Sequence, residues 1–222
     1  MKLHFETVSP LLVEILQRIT ASPVFDDFVL IGGTCLSLQL GHRRSIDIDL
    51  FTSMDYGMMD IQSMKVFLKE NFAYVEKLDS LDTPAMGYSL YIGNSATEKV
   101  KVDFFYTEKF IFPIKVVDNI RFADIREIAA MKMGAITQDV PRQKDFWDIH
   151  ELSEKYSLGE MICWAVKRNE WAVSEADIIK GFQKMDSVKE SIEGIDCFRG
   201  KYWSLVKDDL QEMMDEYIKN KK

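Results

Sequence analysis

Asp47 and Asp49 stand two residues apart in the stretch Ser45-Ile46-Asp47-Ile48-Asp49-Leu50-Phe51. Its alternation of polar and apolar residues predicts a strand with one buried face. Both carboxylates then leave the same face, with Ile46, Ile48 and Leu50 expected on the other, in the core. Neighbouring carboxylates repel each other unless a cation sits between them. Phosphoryl and nucleotidyl transfer use such a pair: two magnesium ions roughly 4 Å apart hold a triphosphate, activate the attacking oxygen and stabilise the leaving pyrophosphate. A solvated strand face that happens to carry two acids is the simpler alternative, and the pair alone does not exclude it.

Asp103 shifts that balance. In Val100-Lys101-Val102-Asp103-Phe104-Phe105 the valines and Phe104 face one way, and Lys101, Asp103 and Phe105 the other. An acid among such residues is disfavoured by strand propensity, and near a sheet core it needs a partner. If this strand lies beside the Asp47/Asp49 strand, Asp103 becomes a third metal-side carboxylate; on an edge strand it would face solvent. Gly32-Gly33-Thr34 falls where the predicted strand Phe28–Ile31 turns into a short helix over Thr34–Leu40, stopped by Gly41. Glycines there let the backbone approach a phosphate closely, and a helix N-terminus offers N–H groups and a favourable dipole. A plain tight turn is the other reading, and the position 14 residues ahead of Asp47 gives the phosphate reading its weight.

A helix is predicted over Ile125–Gln138, with Ile125, Ile128, Ala129, Ala135 and Ile136 on one stripe and Lys132 near its centre. Arg126, Glu127, Ala130, Gly134 and Thr137 fall on the opposite side. A lysine on a buried face needs an anion or a path to water. A nucleotide phosphate or the carboxylate cluster would supply the anion, and snorkelling at a helix seam would supply the path. In the following helix Phe146, Ile149, Leu152 and Tyr156 form the core stripe, Asp145 lies within it and Asp148 on its flank. Capping or the helix dipole accounts for Asp145 but leaves Asp148 unexplained. Arg142 and Lys144 stand ready to neutralise either acid or to contact phosphate.

These residues must be positioned by a chain of 222 residues, 47% hydrophobic and 29% charged, enough to bury a core in one large or two small domains. No apolar run is long enough for a membrane span, and the N-terminus lacks a signal-peptide core, so a cytoplasmic protein without a membrane partner is expected. Three widely spaced cysteines, Cys35, Cys163 and Cys197, and three histidines make disulfides and a His/Cys metal site improbable; a metal would need carboxylates, which suit magnesium or manganese. A net charge of -8 argues against broad nonspecific DNA binding. Ser9-Pro10 opens a helix to about Thr20. Met58–Asn71 reads as a helix, and Tyr74–Leu78, Met86–Ile92 and Val100–Tyr106 as strands. From Ala123 the pattern is helical, with breaks near Asp139-Val140-Pro141, Gly159, Gly181 and Gly194. The expected fold class is α+β: a mixed sheet flanked by helices over residues 1–122, followed by a helical part over 123–222.

In order along the chain, these segments resemble the AbiEii/AbiGii toxin family of the DNA-polymerase-β-like nucleotidyltransferase superfamily. Val29–Leu38 with Gly41–Phe51 resembles the first motif and Lys101–Phe105 the second. Glu127–Lys132 is similar to the third motif, and Arg142–Ile149 to the fourth. The last 70 residues carry no matching motif. The resemblance implies a nucleotidyltransferase core, with Asp47, Asp49 and Asp103 as metal ligands and catalytic carboxylates. Gly32, Gly33, Thr34 and Arg44 would contact the nucleotide, with Arg43 as a second candidate to balance its charge. It further implies that Lys132, Asp145 and Asp148 reach the cleft from the helical part to bind nucleotide or assist transfer. Ser45 would serve as an acceptor or regulatory hydroxyl. Mg²⁺ or Mn²⁺ would be the cofactor and an NTP the donor; tRNA or another RNA is the candidate acceptor, and a cognate antitoxin the candidate partner. The superfamily's usual Gly-Ser is Gly33-Thr34 here, so Thr34 would have to supply the phosphate-binding hydroxyl, or the backbone alone would serve. A transferase acting on a cationic, aminoglycoside-like molecule is the first rival, and an inactive nucleotide-binding module the second.

Overall fold

The computed structural model describes residues 2–188 and 195–221. The expected break at Gly194 lies outside them. The chain forms two compact units, Met1–Asp124 and Ile125–Lys222.

The first unit holds a mixed seven-stranded sheet. Its strands are β1 (Val29–Ile31), β2 (Asp47–Thr52), β3 (Tyr74–Glu76), β4 (Gly87–Gly93), β5 (Lys99–Tyr106), β6 (Lys115–Val117) and β7 (Ile120–Phe122). They run in the order β3-β4-β5-β2-β1-β7-β6. β2 pairs in parallel with β5 and antiparallel with β1, and β4 pairs antiparallel with β5. Ile48, Leu50, Val102, Phe104, Leu90 and Ile92 are completely buried, as strict period-two alternation requires. Phe104 is stacked on Phe25 at 5.4 Å and meets Phe28 edge-on at 5.4 Å; each such pair adds about 0.5–1.5 kcal/mol beyond burial. Ile46 departs from the expectation. The strand starts one residue later, at Asp47, and Ile46 is 65% exposed.

Three α-helices among the described residues belong to this unit. α1 (Pro10–Thr20) has Pro10 at its first position, and the Ser9 hydroxyl accepts from the Leu12 N–H at 3.2 Å. It buries Leu12, Ile15, Leu16 and Ile19. α2 (Gly32–Leu40) ends on Gly41 at φ 67°, the left-handed cap expected of glycine. α3 (Ile61–Asn71) starts later than predicted because Asp60 caps it, accepting from the Ser63 N–H at 3.0 Å. The β6–β7 hairpin is an element the sequence reading missed. Asp118 and Asn119 at its turn have φ of 50° and 64°, the backbone that short hairpins demand.

The second unit is helical, with α4 (Ile125–Ala135), α5 (Gln143–Ser153), α6 (Leu158–Arg168), α7 (Glu175–Gln183) and α8 (Trp203–Lys219). Ser157 with Glu160 and Ser174 with Asp177 form capping boxes that start α6 and α7. Helix breaks fall near Gly159 and Gly181 as expected, between Ser153 and Leu158 and after Gln183, but neither glycine is itself the break. Gly159 lies in the first turn of α6, two residues after the Ser157 N-cap that starts it, and α5 ends earlier, at Ser153. Gly181 lies inside α7, where a Cβ would come 2.7 Å from the Ile136 carbonyl oxygen; close backbone approach explains that glycine. Glu127 is also corrected. It is completely buried rather than on a polar face, because α4 is covered on that side by α6, and Arg168 Nε donates to it at 2.6 Å.

The cysteines are free thiols. Burial pushes the Cys35 thiol up to about 12, so it stays protonated and inert at neutral pH. No helix among the described residues is long and apolar enough to cross a membrane.

Candidate active site

The parallel pairing of β2 with β5 sets Asp49 directly beside Asp103 and Asp47 beside Lys101. All four side chains leave the sheet on the face opposite the Ile48/Leu50/Val102/Phe104 core. The condition the sequence left open, that these two strands be neighbours, is met. Further along the same face Phe51 and Phe105 stand side by side with ring centroids 5.5 Å apart. The Asp103 side chain is 13% exposed, and Lys101 Nζ lies 2.5 Å from its Oδ2. Its other oxygen, Oδ1, is buried and has no hydrogen-bond partner among the described residues. A buried carboxylate oxygen without a donor is costly.

The glycine turn closes onto the same carboxylates. Gly32 has φ +69°, and a Cβ there would fall inside the Asp49 carboxylate, 3.3 Å from the Asp49 Cβ. Only glycine lets the start of α2 approach Asp49 this closely. A Cβ on Gly33 would come 2.7 Å from Arg43 Nη2 and 3.3 Å from Ser45 Oγ. Gly32→Ala combines a left-handed backbone penalty of about 1–2 kcal/mol with displacement of Asp49. Misplacing a reacting group by an ångström can cost about 10²-fold in rate. We expect at least that loss in a transfer assay, with the far-UV circular dichroism of the wild type retained.

The hydroxyls near this turn have a structural use. Thr34 is completely buried, and its hydroxyl donates to the Asp47 carbonyl. Ser45 Oγ lies 2.8 Å from Thr34 Oγ1. These contacts tie the first turn of α2 to the start of β2 and fix where Asp47 begins. Thr34 thus braces the carboxylate strand, and to present its hydroxyl to a phosphate it would have to leave the Asp47 carbonyl. Ser45, 8% exposed, would have to leave Thr34 to act as an acceptor or regulatory hydroxyl. Arg43 is 5% exposed, and its Nη1 donates to the Arg44 carbonyl at 3.0 Å. Arg44 is exposed.

In the helical unit the lysine in the apolar stripe meets carboxylates of its own unit. Lys132 is 6% exposed, with Nζ 2.6 Å from Asp145 Oδ1 and 2.7 Å from Asp148 Oδ2. Arg142 Nε donates to Asp145 Oδ2 at 2.9 Å. Burial alone would raise the Asp145 pKa, but the Lys132 and Arg142 charges outweigh it and hold the carboxyl below its ordinary value. Asp148, which capping could not explain, is the second arm of this network.

Among the described residues no three His, Cys, Asp or Glu side chains converge as a ready-made metal cage. The β2/β5 acids nevertheless fit a hard divalent cation. Their donors are all oxygen, Asp49 and Asp103 are adjacent in register, and Asp103 Oδ1 lacks a partner.

The mixed sheet with acids on adjacent strands, together with a helical part, has solved counterparts. Two Helicobacter pylori crystal structures share the fold. One is a candidate nucleotidyltransferase, with TM-score 0.60, 17% identity, and coverage of 95% of this chain and 92% of that one. The other is JHP933, with TM-score 0.50, 15% identity, and coverage of 95% and 90%. The profile of the family described as "Nucleotidyl transferase AbiEii toxin, Type IV TA system" matches residues 14–218, and the chain belongs to that family. An uncharacterized protein of Aquifex aeolicus (strain VF5) is 26% identical, over 93% of this chain and 96% of its own length.

Proposed function

We propose that this family member transfers a nucleoside monophosphate from an NTP to an RNA acceptor, tRNA being the first candidate, and that its first unit carries the chemistry. The observation that supports this best is the register of Asp49 against Asp103, with Asp47 on the same face and the Gly32 turn closed against Asp49. Asp47, Asp49 and Asp103 would hold Mg²⁺ or Mn²⁺, which when bound neutralises the triphosphate and the leaving pyrophosphate. In the transfer, an acceptor hydroxyl oxygen bonds to the α-phosphorus and the bond from that phosphorus to the α–β bridging oxygen breaks. Pyrophosphate leaves, and the hydroxyl proton passes to a base. The chain's own residues orient the reaction: the Gly32-Gly33 backbone admits phosphate, the Thr34 and Ser45 hydroxyls hold β2 in place, and Arg44 lies at the exposed start of that strand.

Lys132, Asp145 and Asp148 act first as a buried ion-pair network of the helical unit. A nucleotide role for Lys132 requires its ammonium to exchange a carboxylate for a phosphate. The biological setting we infer is the cytoplasm, as the toxin of a pair with a cognate antitoxin.

Incubation with α-labelled NTPs and, in parallel, total tRNA or an aminoglycoside tests this reading. Label in RNA that depends on divalent metal supports it. Label absent from RNA but present on an aminoglycoside-like amine or alcohol would favour the small-molecule rival. No labelled product with any NTP would count against transfer altogether.

A further inference from the structure

Lys101 belongs to none of the roles assigned above, yet it is ion-paired with one of the carboxylates on their own sheet face. Its place is fixed by register: on β5 it lies beside Asp47 and two residues before Asp103, with Tyr91 of β4 on its other side. Its ammonium is 2.5 Å from Asp103 Oδ2, and its charge is felt by Asp47 and Asp49 as well. Lys99, one pleat earlier on the same face, is instead paired with Glu76. The two lysines thus differ in what they neutralise: one an acid on the sheet's outer strand, the other the acid cluster itself.

Three carboxylates on adjacent strand positions repel one another. At Asp103 the Lys101 ammonium offsets that repulsion through a direct ion pair. It engages only one oxygen of Asp103 and leaves Oδ1 buried without a partner. A lysine is a single charge on a flexible stem, 34% exposed here, so it can swing away without unfolding the strand.

We propose that Lys101 is a resident counter-ion that holds the acid cluster together before metal arrives, and that a divalent cation must displace it from Asp103. Lys101 is thus a positioning residue that sets metal affinity. This rests on the metal-site reading of Asp47, Asp49 and Asp103. Two consequences follow from charge alone. Removing the ammonium should strengthen binding of a bare divalent cation, since a competitor and a like charge both disappear. It should also destabilise the metal-free protein, in which Asp103 loses its ion pair.

The test is titration of Mn²⁺ alone, followed by electron paramagnetic resonance of the free ion, into wild type, Lys101→Met, Lys101→Gln, Lys101→Arg and Asp49→Asn. Thermal melts are taken with and without the metal. We expect Lys101→Met and Lys101→Gln to bind Mn²⁺ about tenfold more tightly than wild type, equivalent to ~1.4 kcal/mol. Both should melt lower without metal and regain more of their Tm with it, while Lys101→Arg behaves as wild type and Asp49→Asn binds weakly. A residue that merely supports the fold would not produce tighter binding on removal. Equal or weaker binding by both uncharged variants, with Asp49→Asn still defective, overturns the role of Lys101 alone. Equal binding by wild type and Asp49→Asn overturns the metal site, and this proposal with it.

Discussion

Asp49→Asn and Asp103→Asn are each expected to lower nucleotide transfer by about 10³-fold or more while the protein still folds. The two residues are register partners on parallel strands, so each amide removes one of the charges that would face a divalent cation. Metal-borne charge stabilisation in such transfers amounts to several kcal/mol, and each 1.36 kcal/mol is tenfold in rate. The fold should tolerate both changes because neither side chain lies on the Phe104 face that forms the core. Asp103→Asn relieves part of the local repulsion but leaves Lys101 without its carboxylate, so a change of about 1 kcal/mol in stability is expected. Rates measured with a labelled NTP, alongside urea melts, separate the two effects. Retention of more than a tenth of wild-type transfer by both variants would remove these acids from the chemistry.

Lys132→Met should behave in the opposite way, with its first effect on stability. Asp145 is 1% exposed and Asp148 completely buried, and both sit within 2.7 Å of the Lys132 ammonium. Removing one partner of such a network leaves buried charge uncompensated, at a cost of about 3–5 kcal/mol. For a chain of this size that lowers Tm on the order of 10 °C. The same network predicts an acid limit. Because the folded-state pKa of Asp145 is lowered from 3.8, its contribution is present above the unfolded-state value and is lost as pH falls through the folded one. Stability should therefore decline below about pH 4, and Asp145→Asn should flatten that limb while costing stability at neutral pH. A Lys132→Met protein with wild-type melting but no transfer would mean that the lysine serves the nucleotide instead.

The fold class and the faces of the strands were legible in the sequence. Period-two alternation placed Asp47, Asp49 and Asp103 correctly, because strands buried on one face write their geometry into every second residue. Gly41 marked a helix end for a comparable local reason. What it could not carry was partner identity. The burial of Glu127 depends on Arg168, 41 residues away, and no local period announces that contact. That the Thr34 hydroxyl meets the Asp47 carbonyl depends on how β2 lies against α2, which no local pattern announces. Ile46 fits the core period but lies outside the strand, because periodicity does not say where a strand begins. The β6–β7 hairpin had a signal, Asp118-Asn119 between apolar residues, but its strands are only three residues long. Lys101 was placed on the correct face; its role became visible only with the pairing of β2 and β5.

The most direct test of metal-dependent nucleotide binding at the β2/β5 acids is a calorimetric titration of Mg²⁺ with a nonhydrolysable NTP analogue into two proteins, wild type and Asp47→Ala/Asp49→Ala. The account predicts saturable binding to wild type that requires Mg²⁺, weakened at least about 100-fold in the double variant, equivalent to ~2.7 kcal/mol. Equal affinity in both, or wild-type binding unchanged by chelation of the metal, would contradict it.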